Sequence, residues 1–432
     1  MGSNIYFIDN GPTVFLVDFN SLHSCEISRQ EFTADAVKRA VAEHFSDSRP
    51  YFERLKPTKI GNEGITPTIV TSFACNYACE YCYERPSKGM YDRMTPSKID
   101  AIYSFYKFFC EKHEFPFVFD HIGVIGGEPL LPENRAVLQR IVEVWPDQPI
   151  DIVTNGAYLL DYADFLLAHK TNLTVSLDGT EKTHYARRKT KDPHAYRKAV
   201  EGIRLLLSHD REVTISAVFS PANVDDYSAF FDELESLGWL KNPNLIVSFQ
   251  PELGCGSDDR KHETVIRNLD ACATLRKRDT RAWHVFSETL LPGCIGLKRA
   301  LELASNGEYE PYRCERMYNP SYSFLPDGSI TPCMMIQDKR FQIGRFLPEP
   351  ELNEDYYAAL VNRRIERMEK CKACPRRVLC RGGCLATVLH KQGDCTAIDC
   401  SLWQNLDYLS YFETVMTADT TVDNVSQRLQ EQ

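Results

Sequence analysis

Between residues 66 and 285, a short β-rich segment is followed by a segment of helical periodicity six times in succession. Strands that alternate with helices form right-handed βαβ units around a parallel sheet. We therefore expect an α/β fold in which six such units build an open, partial (βα)6 barrel. The six predicted strands lie in TPTIVTSF, FVFDHIGVIGGEP, PIDIVTNG, LTVSLDGT, EVTISAVFS and LIVSFQPEL.

The segments that flank this alternation divide the chain of 432 residues into four predicted parts. Residues 1–64 contain two apolar runs joined by a Gly-Pro turn, then a helical pattern, which predicts a small β-hairpin and helix element. Residues 65–285 are the TIM-like partial barrel. Residues 286–405 are loop-rich and cysteine-rich, and residues 406–432 are predicted to form a helix and a frayed polar tail.

Composition excludes several classes of partner. The formal net charge is −10, and no local run of basic residues provides a nucleic-acid footprint. No apolar stretch reaches the roughly 20 residues that span a bilayer, and the first residues do not resemble a signal peptide. We expect a cytoplasmic protein, and its 16 cysteines are then better explained as metal ligands or reactive groups than as disulfides.

Three cysteines follow the first predicted strand with the spacing C-x3-C-x2-C, at Cys75, Cys79 and Cys82. Three thiolates can hold three irons of a [4Fe–4S] cluster and leave the fourth iron open to another ligand. A structural zinc site would need a fourth protein ligand, and a disulfide would leave one cysteine over. The spacing alone favours a cluster only modestly over these two alternatives.

The turns after the next three strands also carry unusual residues. Gly126-Gly127-Glu128 follows the second strand, Asn155-Gly156 the third, and Ser176-Leu177-Asp178-Gly179 the fourth. Ligand sites in parallel α/β folds lie at the carboxyl ends of the strands. We expect these turns to face the cysteine triplet across one mouth of the barrel.

The cysteine triplet with an aromatic residue at Tyr81, the GGEP turn and the SLDG turn together resemble the radical S-adenosylmethionine (radical SAM) enzymes over residues 66–285. The resemblance implies a [4Fe–4S] cluster on the triplet and S-adenosylmethionine bound to its open iron. It also implies reductive cleavage to a 5′-deoxyadenosyl radical that takes a hydrogen atom from substrate. The GGEP turn would hold the cofactor's amino group, and either Arg187 or Arg188 would contact its ribose or carboxylate. The residues expected to bind the cofactor are Tyr81, Gly126, Gly127, Glu128, Asn155, Ser176 and Arg188.

A second group of cysteines has the spacings C-x13-G-x4-C and C-x2-C-x5-C-x3-C, which by themselves allow a zinc ribbon or iron–sulfur clusters. With PDGSITPC and CRGGC, the segment resembles the SPASM domain of radical SAM enzymes, which implies two auxiliary [4Fe–4S] clusters and three in the whole chain. The first would use Cys314, Cys333 and Cys384, and either Cys294 completes it or one iron stays open. The second would use Cys371, Cys374, Cys380 and Cys400, with Cys395 as the substitute for Cys400.

The SPASM resemblance implies a ribosomally made peptide or protein as substrate. The leading hypothesis is a peptide maturase that installs a thioether or carbon–carbon cross-link in a precursor peptide made of leader and core. An anaerobic sulfatase-maturating enzyme, which forms formylglycine, is the enzymatic alternative, and a non-catalytic zinc or iron–sulfur binding protein is the alternative from another class. The expected partners are the precursor peptide and an electron donor such as flavodoxin or ferredoxin. Residues 4–46 would either bind the leader of the peptide by pairing a strand with it or only cap the barrel. No catalytic acid or base can be named from the sequence.

Overall fold

The structure is a computed structural model. It describes residues 5–10, 12–47, 49–58, 64–84, 92–252, 294–336, 338–374 and 377–400, with the single positions 267, 271, 274, 275, 278, 279 and 281. The predicted sixth helix, residues 263–278, lies mostly outside the described residues, and the predicted C-terminal helix and tail, residues 406–432, lie wholly outside them. Among the described residues, no helix is long and apolar enough to cross a membrane.

Strands and helices are numbered separately along the described part of the chain. The strands are β1 (Ile5–Asn10), β2 (Thr13–Asp18), β3 (Ser24–Ser28), β4 (Lys56–Pro57), β5 (Thr68–Val70), β6 (Tyr77–Cys79), β7 (Ile122–Ile125), β8 (Ile150–Thr154), β9 (Thr171–Ser176), β10 (Arg188–Thr190), β11 (Val213–Phe219), β12 (Leu245–Pro251), β13 (Glu308–Tyr309), β14 (Ser323–Phe324), β15 (Ser329–Thr331), β16 (Gly344–Arg345) and β17 (Glu351–Leu352). The helices are α1 (Ala34–His44), α2 (Tyr51–Arg54), α3 (Pro96–His113), α4 (Arg135–Val144), α5 (Ala163–Ala168), α6 (Glu181–Arg187), α7 (Ala195–Ser208), α8 (Tyr227–Ser236), α9 (Cys294–Ser305), α10 (Glu354–Val361), α11 (Glu369–Lys372), α12 (Arg377–Cys380) and α13 (Leu385–Gln392).

The central sheet confirms the predicted α/β class. Six parallel strands lie side by side in chain order, β5-β7-β8-β9-β11-β12. Each predicted strand segment overlaps one of them, and α3, α4, α5, α7 and α8 each follow one of these strands, as the alternation predicts. The start of α3 shows the local reason: the hydroxyl of Thr95 accepts from the backbone N–H of Lys98, and Pro96 occupies the first turn, where its missing N–H costs nothing.

The same sheet continues into the C-terminal segment. β14 pairs in parallel with β5, and β15, β16 and β17 extend the sheet in antiparallel fashion. Rings on the two sides also pack together, as Phe105 of α3 does against Phe324 of β14, with ring centroids 5.6 Å apart. The cysteine-rich segment is therefore attached to the first strand of the barrel through main-chain hydrogen bonds as well as side chains.

The N-terminal element is a three-stranded antiparallel sheet, β1-β2-β3, with α1 beside β3. The predicted hairpin and helix are present, and β3 is an addition to them. The contacts that connect the element with the rest of the chain include the β4–β13 pair, the bond that Arg377 donates to the carbonyl oxygen of Asn20 at 3.0 Å, and the rings of Tyr51 and Tyr309, whose centroids lie 5.5 Å apart.

The face of the barrel sheet opposite the helices is open in the described part of the chain. Along β8, Ile150 and Ile152 belong to the core beneath the helices, so Val153 points to the other face, because strand side chains alternate. Val153 is 44% exposed although its strand is central in the sheet, and Ile246 of β12 is 46% exposed. These exposed apolar side chains lie on the face of the sheet opposite the helices, and Val153 stands next to the last residue of its strand, beside one of the unusual turns.

Candidate functional site

The cysteine triplet lies in a loop that pairs with the segment connecting the fourth and fifth barrel strands, β9 and β11. β6, which ends at Cys79, pairs antiparallel with β10 so that Cys79 lies opposite Arg188. The backbone N–H of Tyr77 donates to the sulfur of Cys75 at 3.4 Å. Cys79 is buried, and Cys75 and Cys82 are partly buried. Burial raises the pKa of the Cys75 thiol to about 12.

The glycine turn after β7 presses against this loop. Gly126 and Gly127 have φ angles of +99° and +49°, in the left-handed region that favours glycine. A Cβ on Gly127 would lie 1.9 Å from the carbonyl oxygen of Ala74, immediately before Cys75. The next N–H, that of Glu128, donates to the same carbonyl at 2.9 Å. The two glycines therefore permit a close approach that places the second strand's turn beside the first cysteine.

Glu128, which follows β7, is hydrogen-bonded to the end of β8 inside the protein. Its carboxylate is fully buried and accepts from the hydroxyl of Thr154 at 2.6 Å and the N–H groups of Asn155 at 2.7 Å and Leu130 at 2.9 Å. Burial raises its pKa despite these three donors. The side chain thus has an immediate structural task, and a role in holding the cofactor's amino group stays a prediction.

Asn155 connects the third strand's turn to the cysteine loop. Its amide nitrogen donates to the side-chain oxygen of Asn76 at 2.7 Å and lies 3.8 Å from the sulfur of Cys75. Its side-chain oxygen accepts from the N–H of Ala157 at 3.0 Å, which holds the amide in this orientation. The structure therefore brings Asn155 to the triplet, as the strand-end argument predicted.

Asp178 is the central charged residue of this region, and the sequence analysis did not assign it a role. It is fully buried, accepts from the Tyr81 hydroxyl and the N–H of Val218 (2.9 Å), and lies 3.8 Å from the guanidinium groups of both Arg187 and Arg188. Arg188 also donates to the Tyr81 hydroxyl at 2.8 Å. The signal that could have identified Asp178 is its position directly after Ser176 and Leu177 at the end of β9.

The two adjacent arginines have different surroundings. Arg188 faces the cysteine loop, and its pKa is raised well above the usual value by Tyr81, Cys79 and Asp178 although burial opposes this. Arg187 instead pairs with Glu252 at 2.8 Å and donates to Ser220 at 3.0 Å, beyond β12 and β11. The geometry therefore places Arg188, rather than Arg187, beside the triplet. Ser176 ends β9 on the same edge of the sheet.

The C-terminal cysteines fall into two neighbourhoods. Nearby thiols contribute to the raised pKa values of Cys371 (about 11, with Cys374 and Cys400) and Cys380 (about 12, with Cys371, Cys400 and Cys374), after burial as the main cause. The pKa of Cys395 is raised by burial and by Asp394 instead. The N–H of Cys374 donates to the carbonyl of Cys371 at 3.0 Å, and the sulfur of Cys380 lies 3.8 Å from the carbonyl oxygen of Asp399, next to Cys400. The shared cluster of these four cysteines, with Cys395 as the substitute for Cys400, stays a prediction.

The other neighbourhood contains Cys314, Cys333 and Cys384. Burial raises the pKa of Cys333, and the nearby Cys384 adds to the shift. Burial also raises the pKa of Cys314, to which Cys333 adds and which Arg316 opposes. Cys294 begins α9, but its side chain lies outside the described residues, so its part in this group stays a prediction.

Tyr83 lies between the triplet and this second neighbourhood. Both Cys82 and Cys333 contribute to its raised pKa, after burial and Glu84. Its hydroxyl lies 3.8 Å from the sulfur of Met334, next to Cys333.

Among the described residues, no three His, Cys, Asp or Glu side chains converge closely enough to bind a single metal ion.

Residues 69–234 match the Radical SAM superfamily. This match covers β5 to α8, the strands and turns that surround the cysteine triplet. The triplet, the glycine turn and the strand order all lie within it or adjoin it. These residues form a radical SAM domain. The predicted recognition of a radical SAM enzyme is thereby confirmed.

Known relatives and solved structures are similar to this chain over most of its length, beyond the radical SAM domain. The "Serine-type anaerobic sulfatase-maturating enzyme" of Klebsiella aerogenes is 23% identical over 335 residues, which cover 72% of this chain and 77% of that protein. The structure of anSMEcpe with bound AdoMet is 18% identical with a TM-score of 0.58, over 81% of this chain and 96% of that one. SuiB of Streptococcus suis, bound to its precursor peptide SuiA, is 13% identical with a TM-score of 0.54, over 93% and 98%. At these identities the two solved structures show a shared fold.

Proposed function

We propose that this radical SAM enzyme is a maturase that takes a hydrogen atom from a precursor peptide and installs a thioether or carbon–carbon cross-link. One observation carries the proposal: the triplet lies next to a C-terminal cysteine, because the hydroxyl of Tyr83, which follows Cys82, lies 3.8 Å from the sulfur of Met334, which follows Cys333. A peptide that binds beside the triplet would therefore lie close to both cysteine groups.

The residues around the triplet fit the two cofactors of this superfamily. Cys75, Cys79 and Cys82 would hold three irons of a [4Fe–4S] cluster, and the glycine turn forms a cradle that a Cβ would fill. The Nε atom of Arg188 is buried and has no hydrogen-bond partner among the described residues, so one charged donor remains for a carboxylate or hydroxyl of S-adenosylmethionine. When bound, these cofactors supply the radical that abstracts hydrogen from the substrate.

The chain's own residues would contribute orientation and charge. Asp178 holds Tyr81 and lies between the two arginines, so these side chains are already positioned before a ligand arrives. Glu128 fixes the ends of β7 and β8 relative to each other. Such preorganised groups place the cofactor and the peptide and exclude water from a reactive radical.

A peptide or protein substrate is supported by the relatives' names. SuiB is described with a precursor peptide, and anSMEcpe is described with bound peptides as well as AdoMet. The N-terminal sheet offers β1 as an edge strand to which a leader peptide could add a further strand. Electrons would come from a small redox protein such as flavodoxin or ferredoxin.

The auxiliary clusters form a separate part of the proposal. The four thiols of Cys371, Cys374, Cys380 and Cys400 would hold one [4Fe–4S] cluster, and Cys314, Cys333 and Cys384 would hold three irons of the other, for three clusters in all. Cys294 would either complete the latter group or leave an iron open to a substrate thiolate.

The sulfatase-maturating alternative has equal support, because the Klebsiella relative carries that name and the same fold covers most of the chain. In that case the product is an aldehyde on a serine or cysteine side chain rather than a bond between two residues. Both reactions begin with removal of one hydrogen atom, so the described geometry serves either.

The test uses the full chain reconstituted anaerobically, with 5′-deoxyadenosine formation as the first readout. The wild type should form it, and the variant with Cys75, Cys79 and Cys82 all changed to Ala should not, while it keeps auxiliary iron. Cleavage that persists in this variant would overturn the cluster assignment. A zinc-loaded chain with little iron would instead indicate the non-catalytic metal-binding alternative.

The second readout is mass spectrometry of candidate peptides. A cross-linked product loses two hydrogens, resists alkylation of any thiol used and does not react with hydrazine probes. An aldehyde product reacts with hydrazine and would establish the sulfatase-maturating alternative. Deleting residues 1–58 should weaken peptide binding more than uncoupled cofactor cleavage if the N-terminal sheet binds the leader, and equal binding would refute that role.

A further inference from the structure

Arg363 is a buried cation without an acidic partner. It is 3% exposed, and its guanidinium donates to the carbonyl oxygens of Gly382 at 2.6 Å, Cys395 at 2.7 Å and Ala397. Among the described residues, no carboxylate lies within ion-pair distance of it. Asp394 is influenced by Arg363 but is itself exposed. A buried charge is costly unless other charges compensate it, so a compensating negative charge must come from elsewhere.

The carbonyl groups that Arg363 contacts belong to cysteine-bearing segments, because Gly382 lies between Cys380 and Cys384 and the second carbonyl is that of Cys395. The negative charge around Arg363 can therefore come from cysteine sulfurs. Burial lowers the pKa of Arg363, and the groups that oppose this effect are Cys395, Cys371, Cys380 and Cys384. Neutral thiols would leave the guanidinium uncompensated, whereas metal-bound thiolates would balance it. The partners also belong to both neighbourhoods, because Cys384 is grouped with Cys333, and Cys371 with Cys380.

The local backbone is closely packed against Arg363 and Met368. Gly382 and Gly383, in the CRGGC turn, have φ angles of +83° and +88°. A Cβ on Gly382 would lie 2.6 Å from the sulfur of Met368 and 3.3 Å from a guanidinium nitrogen of Arg363, and a Cβ on Gly383 would lie 2.5 Å from the carbonyl oxygen of Asp399. The turn between Cys380 and Cys384 is thus held against the segment that leads to Cys400, with Arg363 bonded to both.

We propose that Arg363 is a positioning residue that supplies one positive charge to both auxiliary cysteine groups and joins the Cys380–Cys384 turn to the segment of Cys395–Cys400. The inference rests on the proposed function in one respect, namely that these cysteines bind clusters. A cluster with thiolate ligands becomes more negative on reduction, so a nearby cation favours the reduced form. Loss of the cation should therefore lower the reduction potentials.

The test compares three variants of the full chain in redox titrations followed by electron paramagnetic resonance, with iron and sulfide counted per chain. Arg363→Met removes the charge and the carbonyl bonds. Arg363→Lys keeps the charge but not the planar set of donors. Arg345→Met is the matched control, because Arg345 also donates to two carbonyls of the same segment, those of Leu347 and Asp327, but has the Asp327 carboxylate beside it.

If Arg363 compensates the charge of the clusters, Arg363→Met should lower the ratio of reduced to oxidised auxiliary clusters about tenfold at a fixed potential. This change corresponds to a decrease of ~59 mV in the reduction potential of a one-electron couple. Arg363→Lys should stay closer to wild type, and Arg345→Met should leave the potentials unchanged. If Arg363→Met cannot hold the clusters, their retention in Arg363→Lys supports the same conclusion.

Three results would overturn the inference. Unchanged potentials in a cluster-loaded Arg363→Met protein would refute it, as would an equal shift in Arg345→Met. Loss of auxiliary iron from both Arg363 variants would show that the carbonyl bonds alone matter. A wild-type chain that binds only the cluster on the cysteine triplet would refute the auxiliary ligand sets themselves, and this outcome is distinguished by the iron count before any variant is made.

Discussion

Gly127→Ala would add a methyl group 1.9 Å from the carbonyl oxygen of Ala74, whereas Gly238→Ala would add one with no other atom within 4 Å. Both glycines have positive φ angles, +49° and +73°, so both substitutions incur the left-handed penalty of roughly 1–2 kcal/mol. The pair therefore separates the cost of the close approach from the cost of the backbone conformation.

The additional cost at Gly127 comes from a forced displacement. Real Cβ contacts are not shorter than 3.0 Å, so the glycine turn and the Ala74 carbonyl would have to move apart by more than an ångström. That movement breaks the bond from the Glu128 N–H to this carbonyl, and an unpaired buried donor costs about 1–3 kcal/mol. We expect Gly127→Ala to lower the free energy of unfolding by about 1–3 kcal/mol more than Gly238→Ala, a large share of the roughly 5–15 kcal/mol typical of a domain.

The assay is urea unfolding of the two anaerobically prepared variants, with iron per chain measured in parallel. Gly127→Ala should also lose the triplet's cluster, because the displaced carbonyl immediately precedes Cys75. Gly238→Ala should keep wild-type iron. Equal unfolding free energies with full iron in both variants would refute the conclusion that the glycine turn positions the cysteine loop.

Three further predictions concern single side chains. His184 is buried, and burial and Arg188 lower its pKa to about 3, so its protonation favours the unfolded chain. The free energy of unfolding should therefore fall by about 2 kcal/mol between pH 7 and pH 5 through this group. In urea titrations, His184→Gln should make the free energy of unfolding less dependent on pH, and an unchanged dependence would argue against this role. Asp178→Asn should raise the Michaelis constant for S-adenosylmethionine at least about tenfold, because the buried Arg188 and the partly buried Arg187 both lose a compensating charge. An unchanged constant in steady-state assays would contradict this. Cys400→Ser should lower the iron count by roughly one cluster, while Cys395→Ser should not, and the reverse result would exchange the two assignments.

The barrel could be predicted from the sequence because its strands and helices have strong periodicity and clear turns between them. β3 was missed since only Ile27 of its five residues is buried, which leaves almost no hydrophobic signal in SCEIS. α6 was missed for a related reason, because its buried residue is the polar His184. Weakly amphipathic segments of this kind take their structure from neighbours far along the chain.

Site residues divide in the same way. The cysteines, the glycines and Asn155 were predictable because each belongs to a local pattern at a strand end. The tasks of Glu128 and Asp178 were not, because they depend on donors that other strands supply, such as Thr154 for the former and Val218 for the latter. A local motif identifies the residue type, but only the register between strands determines which groups a buried carboxylate will contact.

The same register explains why the cysteine loop has a defined position before any ligand binds. The second strand's turn contacts the loop at Ala74, the third strand's turn at Asn76 through Asn155, and β10 pairs with it at Cys79. These three attachments come from successive connections of one sheet, and each approaches a different part of the loop. A substitution at one attachment should therefore weaken cluster binding without unfolding the barrel, whereas a break between neighbouring parallel strands would displace two attachments at once. On this argument, the sheet holds the three thiols in place, and the short loop needs little stability of its own.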